Sequence, residues 1–248
     1  MRGPDVNYRE ISRYASSFAF LKTAVARSRF APHMYLRVCE QMRDAVFETF
    51  HEHGVIHNDI TPNTIAVLMA GGDVDVRLID TGSARAWAEM DADMPGGTIA
   101  YRSPRNRHEP LFTRDMWSAG CCMIEMISAS HESMFWYDDS DTIGIHEFAM
   151  CVIVQDLLRL YGAQVPMYVL GHTTEIDVGV FERASVLGLH AQVVFEQLRR
   201  VRDAYRANLV SLSHRLDFNV AQERLKFRES VSGIILSMFV LKKNRADS

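Results

Sequence analysis

The stretch His57-Asn58-Asp59-Ile60-Thr61-Pro62-Asn63-Thr64 decides the fold of this chain, together with three short motifs that follow it in order. Those motifs are Asp80-Thr81-Gly82, then Gly97-Thr98 with Tyr101 and Pro104, and finally Asp115-Met116-Trp117 with Gly120. Each motif is short enough to occur by chance, so their order and the elements between them are more informative than any one alone. The fold must therefore be inferred from the whole span of residues 57–120.

A long amphipathic helix is predicted before the first motif, over about residues 33–53. Its apolar residues fall mostly at three- and four-residue steps, as on one helical face: Leu36, Cys39, Met42, Val46, Phe47 and Phe50. Gly54 is expected to end this helix because glycine tolerates a positive φ.

Two short strands are predicted after the first motif, over residues 64–69 and 74–79, with Gly71-Gly72-Asp73 in the turn between them. A hairpin places its two ends side by side. Asp59, before the first strand, is therefore expected close to Asp80, after the second. Two carboxylates in one cleft suit a metal ion and a general base.

The rest of the chain is predicted to be mainly helical. Residues 115–127 are strongly apolar with little polar face, which indicates a central buried helix. Residues 81–112 show no periodic apolar pattern and are predicted to form a long loop. Further helices are predicted over about residues 8–28, 141–161, 181–207 and 228–242.

The ordered motifs resemble the catalytic lobe of the eukaryotic-type protein kinases, which transfer phosphate from ATP to a protein hydroxyl. His57-Asn58-Asp59 matches the H-R-D signature at two of three positions, and Asp80-Thr81-Gly82 resembles D-F-G. Residues 97–104 resemble the segment G-T-x-x-Y-x-x-P-E, which docks the substrate chain. Residues 115–120 resemble D-x-W-S-x-G, in which the aspartate holds the backbone of the catalytic loop.

The resemblance implies a role for each matching residue. Asp59 would be the catalytic aspartate that accepts the proton of the substrate hydroxyl, and Asp80 would be a magnesium ligand. Thr64 stands where the family has a metal-binding asparagine, and Asn63 lies one residue earlier. Asp80, Asn63 and Thr64 are therefore the candidate metal positions, with ATP and magnesium as the cofactors of an active protein.

Several positions depart from the family pattern. Asn58 replaces an arginine that in many kinases pairs with a phosphate on the activation loop, and a neutral amide cannot make that charge-assisted pair. Thr61 stands where most serine/threonine kinases have a lysine, although the segment 59–62 is similar to that of some herpesvirus-type kinases, which also lack it. Arg105 replaces a glutamate, and Thr81 replaces the phenylalanine of D-F-G.

The nucleotide-covering lobe of the family is expected to be largely absent. No G-x-G-x-x-G occurs before His57, and Lys22 is too close to it and lies in a helical pattern. The predicted fold class is therefore α+β, mainly helical, a protein-kinase-like C-terminal lobe with a short β-hairpin. Residues 1–248 are assigned to one such domain, with the resemblance best over about residues 30–130.

Two functions follow from the resemblance. The first is phosphate transfer from ATP to serine or threonine of a protein substrate. The second is a catalytically inactive pseudokinase that acts as a protein-binding module, which would explain the missing lobe, Thr64 and Arg105 together. A helical interaction protein with chance motif matches is a third reading. The partner is a protein in each case.

Composition and charge exclude several other classes. The net charge of -4 gives no general attraction to nucleic acid or to an anionic membrane. The start of the chain has no apolar signal-peptide core, and the longest strongly apolar run, near residues 234–241, is too short to span a membrane. The four cysteines form no C-x-x-C pair. The expectation is an intracellular protein, not secreted, with buried free thiols.

Two other patterns are assigned structural roles. His51, His53 and His57 have neither H-E-x-x-H spacing nor a cysteine at ligand spacing, so they are predicted to lie at a helix end and not to bind zinc. The stretch of residues 196–206, rich in arginine, is predicted to be a solvated helix face.

Overall fold

The structure is a computed structural model that describes residues 16–17, 30–70, 72–90, 96–98, 101–102, 112–128, 189–215 and 221–238. The strands are β1 (Ser16–Ser17), β2 (Val55–Ile56), β3 (Ile65–Ala70), β4 (Asp73–Leu78) and β5 (Arg85–Ala86). The helices are α1 (Pro32–Asp44), α2 (Thr113–Ser128), α3 (Leu189–His214) and α4 (Ala221–Ser237). The described part is thus mostly helical with small antiparallel sheets, as expected for the fold class.

The helix predicted over residues 33–53 is confirmed, and it continues without a break through two irregular turns. Pro32 occupies the first turn of α1, where its missing N–H has no helical partner to lose. A wider π-helical segment, Ala45–Phe50, and a 3-10 turn, His51–His53, follow α1. Gly54 then ends the run with a φ of 67°, as predicted from its conformational freedom.

The predicted hairpin is confirmed as β3 and β4, with Val67 opposite Val76. The helix predicted over residues 8–28 is wrong at Ser16–Ser17, because these residues form β1 and pair with β3. The other edge of β3 needs backbone partners, and that tertiary pairing overrides a loose helical pattern. Residues 8–15 and 18–28, including Lys22, lie outside the described residues.

Gln41 joins α1 to the outer edge of this sheet. Its amide Nε2 donates to the carbonyl oxygen of Val74 at 2.8 Å, and its Oε1 accepts from the backbone N–H of Val76 at 2.8 Å. One side chain therefore pairs with the edge of β4, on which no other strand pairs within the described residues.

We expect Gln41→Ala to lower the free energy of unfolding by about 1–3 kcal/mol, because it leaves a part-buried donor and acceptor on β4 unpaired. Gln41→Glu should also destabilise the domain, since a carboxylate cannot donate to Val74. Gln222→Ala, at an exposed position of α4, is the matched control and should stay within about 0.5 kcal/mol of the parent. Equal denaturation midpoints for the two alanine variants would contradict the role of Gln41.

The core lies where α1, α2, α3 and α4 meet. Residues 116, 117 and 119–128 of α2 are all buried, so the prediction of a central helix is confirmed. The two last helices also exist, but their bounds differ from the predictions of 181–207 and 228–242. Tyr205 and Ser232 join these two helices with a 3.1 Å hydrogen bond between hydroxyls.

Two further predictions are a helix over residues 141–161 and buried free thiols. The helix predicted over residues 141–161 lies outside the described residues, as does Cys151. Cys39, Cys121 and Cys122 are buried free thiols, as predicted. Burial, with a smaller effect from Glu40, raises the pKa of the Cys39 thiol, so it stays protonated and unreactive. Among the helices that the structure describes, none combines the length and the apolar composition of a membrane span.

Candidate functional site

The 57–64 loop is held by the carboxylate of Asp115, at the start of α2. Asp115 is 1% exposed, and its Oδ2 accepts from the backbone N–H of His57 at 2.6 Å. Its Oδ1 accepts from the backbone N–H of Asn58 at 2.8 Å. The expectation that this aspartate binds the loop backbone is confirmed. A buried carboxylate is stable here because backbone donors replace the water that it loses.

His51 adds a third donor to the same carboxylate, with its Nε2 3.4 Å from Asp115 Oδ2. The imidazole is buried among aromatic rings, with ring centroids 5.5 Å from Phe47 and 5.6 Å from Phe112. Within the described residues no group of three or more His, Cys, Asp or Glu could hold a metal ion. His51 lies at the end of the helical run, where it was predicted.

His57 connects the loop to the end of the hairpin. Its side chain is fully buried, and its Nε2 lies 3.0 Å from the carbonyl oxygen of Ile79, the residue before Asp80. Its Nδ1 faces the backbone N–H of Asp59 at 3.4 Å. One imidazole therefore contacts both the segment that carries Asp59 and the segment that leads to Asp80. This contact is expected if the hairpin brings the two carboxylates close together.

Asp59 is half-buried and contacts the segment that follows the hairpin. Its Oδ1 accepts from the backbone N–H of Thr98 at 2.8 Å and from the Thr98 hydroxyl at 2.7 Å. Within the described residues no hydrogen bond reaches Asp59 Oδ2. The carboxylate is therefore oriented through one oxygen and keeps the other for a further donor.

Asn58 occupies the left-handed region, with a φ of 64°, and packs directly against two glycines. A Cβ on Gly96 would clash with the Asn58 side-chain amide, and one on Gly97 would lie 2.6 Å from the Asn58 carbonyl oxygen. Arg102 holds the glycine backbone from the other side, donating to the carbonyl oxygens of Gly96 and Gly97 at 2.8 Å each. Close backbone packing thus joins this segment to the loop.

The Thr64 hydroxyl is engaged inside the loop. It accepts from the backbone N–H of Thr61 at 2.9 Å, and it lies 2.9 Å from the carbonyl oxygen of Asp59, to which it can donate. Thr64 is 6% exposed. Asn63, by contrast, is exposed, and its backbone N–H donates to the Thr61 hydroxyl at 3.2 Å. Of these two metal candidates, only Asn63 presents its side chain to solvent.

We expect Thr64→Ala to lower the free energy of unfolding by about 1–2 kcal/mol, because the buried Thr61 N–H loses its acceptor. Thr64→Ser keeps the hydroxyl and should retain most of the stability. Thr64→Asn introduces the family's amide, but it should be destabilised like the alanine variant. Chemical denaturation of the three variants is the measurement, and an asparagine variant as stable as the parent would show that the hydroxyl is dispensable.

Asp80 lies in an exposed turn after β4 and has a φ of 62°. Its Oδ1 would be 3.4 Å from a Cβ added to Gly82, so the carboxylate folds back over the following turn. An exposed carboxylate at this place suits magnesium, which is commonly bound by one or two carboxylates together with substrate phosphates. Asp80 therefore fits one ligand position, whereas the engaged hydroxyl of Thr64 does not fit a second.

The long loop predicted over residues 81–112 contains short regular segments in its first part. Two 3-10 turns, Thr81–Ser83 and Trp87–Glu89, flank β5, which pairs antiparallel with β2. A two-residue strand pair is too short to produce a periodic pattern, which is why the sequence does not reveal it. Pro104 and Arg105 lie outside the described residues.

Glu125 holds Tyr101 in place, a role that no sequence motif indicates. It is fully buried on α2, and its Oε2 accepts from the Tyr101 hydroxyl at 2.7 Å. Ser118 on the same helix donates to the Tyr101 carbonyl oxygen at 2.6 Å. The sequence does show a single glutamate inside an otherwise apolar helical stretch. Such a residue indicates a partner elsewhere in the chain, because a buried carboxylate requires a hydrogen-bond donor.

Comparisons with known proteins agree with the geometry. A family model described as a protein kinase domain matches residues 10–166 of the 248-residue chain, which is more than half of it. The chain is 37% identical to mitogen-activated protein kinase 12 of Mus musculus over 83 residues, which is 32% of this chain and 21% of that protein.

Two further relatives are also similar to this chain over less than half of its length. Mitogen-activated protein kinase p38b of Drosophila melanogaster is 37% identical over 83 residues, 32% of this chain and 21% of that protein. The probable serine/threonine-protein kinase PknB of Corynebacterium glutamicum is 31% identical over 105 residues, 40% of this chain and 15% of that protein. The chain thus covers less than a quarter of the length of these relatives.

Proposed function

The chain belongs to the protein kinase family, and on that premise we propose that it transfers phosphate from ATP to serine or threonine hydroxyls of a protein, with Asp59 as the general base. The observation that carries this proposal is the double hydrogen bond from Thr98 to Asp59 Oδ1. It orients the carboxylate and directs Oδ2 to an incoming hydroxyl. The names of the relatives, which include serine/threonine kinases, support the same acceptor class.

Preorganisation of the loop supports this role. Asp115 holds the backbone on one side of Asp59, and the Thr64 hydroxyl lies within hydrogen-bond distance of its carbonyl oxygen on the other. Phosphate transfer depends mostly on positioning and on neutralising charge, so a base that needs no rearrangement lowers the barrier. Asp59 accepts the hydroxyl proton as the acceptor oxygen attacks the γ-phosphorus and ADP departs.

Asp80 is the proposed ligand for magnesium carried by the nucleotide. The metal would neutralise phosphate charge when bound. This chain contributes one exposed carboxylate at the end of β4, with Asn63 exposed in the neighbouring loop. Asp80, Asn63 and bound phosphates would form the site, and the hydroxyl of Thr64 stays with the loop backbone.

A protein-binding module without catalysis is the second candidate, favoured by the geometry of Thr64. The residue at the family's second metal position is engaged in holding Thr61 and Asp59. Removing one charge-stabilising group commonly lowers catalysis by about a hundredfold to a thousandfold. The isolated chain is therefore expected to transfer phosphate slowly, and in this second case not at all.

Nucleotide binding separates the two candidates. At ATP concentrations about ten times its Kd, bound ATP would stabilise the fold by about 1.4 kcal/mol, a shift of the unfolding midpoint of about 3–6 °C. We expect this shift with ATP and magnesium and a smaller one with ATP alone. In Asp80→Asn, ATP with magnesium should give only the smaller shift. Asp203→Asn, at an exposed position of α3, is the control. An unchanged midpoint in the parent chain would favour the binding module.

A further inference from the structure

A cavity of about 160 Å³ lies between α1, α2 and α3, and none of its lining residues belongs to the 57–64 loop. Its floor is apolar, formed by Met126, Ile127 and Leu212, and Tyr35 forms one wall. These four residues are each at most 7% exposed. The cavity therefore has a buried apolar bottom among the helices of the core.

The volume corresponds to one small ring. An apolar cavity of about 150 Å³ is known to accept benzene. A long acyl chain would not fit, whereas a single aromatic ring would contact the thioether of Met126 and the side chain of Ile127. Sulfur and aromatic groups attract each other in such contacts.

The rim differs from the floor because it is polar and carries a positive charge. Ser211 and Arg215 are exposed, so the cavity opens to solvent between them. Arg215 donates through Nη2 to the carbonyl oxygen of Phe30 at 2.9 Å, which fixes the guanidinium at the opening. The structure describes no other side-chain hydrogen bond of Arg215, and none of the lining residues that it describes is an aspartate or a glutamate.

Asn208 completes the polar rim. Its Nδ2 donates to the carbonyl oxygen of Ser128, at the end of α2, at 2.6 Å. This bond sets the orientation of the amide. The rim therefore offers a fixed guanidinium, an oriented amide and the hydroxyl of Ser211 above an apolar floor.

We propose that this cavity binds a small aromatic carboxylate, with its ring on Met126, Ile127 and Leu212 and its carboxylate on Arg215. Guanidinium and carboxylate match in charge and in hydrogen-bond geometry, with two parallel N–H donors for two oxygens. The proposal stands independently of phosphate transfer, because it uses no residue of the 57–64 loop.

Benzoate is the probe, titrated into the full chain and followed by ligand-observed NMR and calorimetry. The expected Kd is about 1 mM, as is reasonable for so few non-hydrogen atoms. Ser211→Trp should close the opening, and Arg215→Gln should remove the charge while keeping a donor toward Phe30. Each should weaken binding by about tenfold or more. Arg200→Gln is the matched control, because Arg200 is an exposed arginine of α3 that pairs with Glu196 at 3.5 Å.

Two related probes test the two halves of the site. Benzyl alcohol, which keeps the ring without the charge, and acetate, which keeps the charge without the ring, should each bind at least about tenfold more weakly than benzoate. The proposal is overturned if benzoate shows no saturable binding up to about 20 mM, if acetate binds as well as benzoate, or if Arg200→Gln weakens binding as much as Arg215→Gln. Should Ser211→Trp lower the unfolding midpoint, Arg215→Gln still decides the outcome.

Discussion

Replacing Asp59 with asparagine should lower phosphate transfer by about a hundredfold to ten-thousandfold, the usual contribution of a positioned general base. Asparagine has the same shape, and its carbonyl oxygen can still accept from the backbone N–H and the hydroxyl of Thr98. The loop geometry should therefore persist. What is lost is the ability to accept the proton of the substrate hydroxyl, because an amide is not a base at neutral pH.

The measurement is transfer of labelled γ-phosphate to a generic protein substrate, with long incubation because the parent rate is expected to be low. Asp203→Asn removes an exposed carboxylate on α3 and should transfer at the parent rate. The nucleotide-induced shift of the unfolding midpoint should be the same in Asp59→Asn as in the parent. Transfer that is undiminished in Asp59→Asn would exclude Asp59 as the base, and transfer absent from every protein would favour the binding module.

Asp115→Ala should destabilise the fold more than any other single substitution considered for this chain. It leaves the backbone N–H groups of His57 and Asn58 without their acceptor, a carboxylate that is itself 1% exposed. Each buried donor left unpaired costs about 1–3 kcal/mol, so the loss is about 2–6 kcal/mol in all. That is a large part of the stability of an ordinary domain.

Denaturation by urea, followed by circular dichroism, measures this loss. Asp203→Ala removes an exposed aspartate and should change the free energy of unfolding by less than about 0.5 kcal/mol. The free energy of unfolding of Asp115→Asn should lie between those of the two alanine variants. Its side-chain oxygen can still accept one hydrogen bond, but its NH2 group faces a second backbone N–H and cannot accept from it. An Asp115→Ala midpoint equal to that of Asp203→Ala would reduce Asp115 to a surface helix cap.

Local chemistry explains which parts of the site were predictable. A base, a metal ligand and a backbone acceptor each require a side chain such as a carboxylate, so motif spacing marks Asp59, Asp80 and Asp115 as candidates for these roles. The role of Asp115 is confirmed by its two short hydrogen bonds. The shared cleft of Asp59 and Asp80 stays a prediction, supported by the contact of His57 with Ile79.

The contributions of Gln41, Thr64 and Glu125 were not predictable in the same way. Gln41 looks like an ordinary polar helix position, yet it pairs with the edge of β4, which lies more than 30 residues away in sequence. Thr64 looks like a failed metal ligand, yet its hydroxyl holds the loop. Each role depends on an unpaired backbone or side-chain group that only the folded chain brings near.

The sequence by itself determined the hairpin, the buried central helix and the order of the motifs, because hydrophobic period and turn chemistry act over a few residues. Only the tertiary structure decided that Ser16–Ser17 is a strand and that Gly96 and Gly97 pack against Asn58. It alone decided that Arg215 stands over a cavity. These features arise between segments far apart in the chain, where satisfying buried polar groups and filling space outweigh local preference.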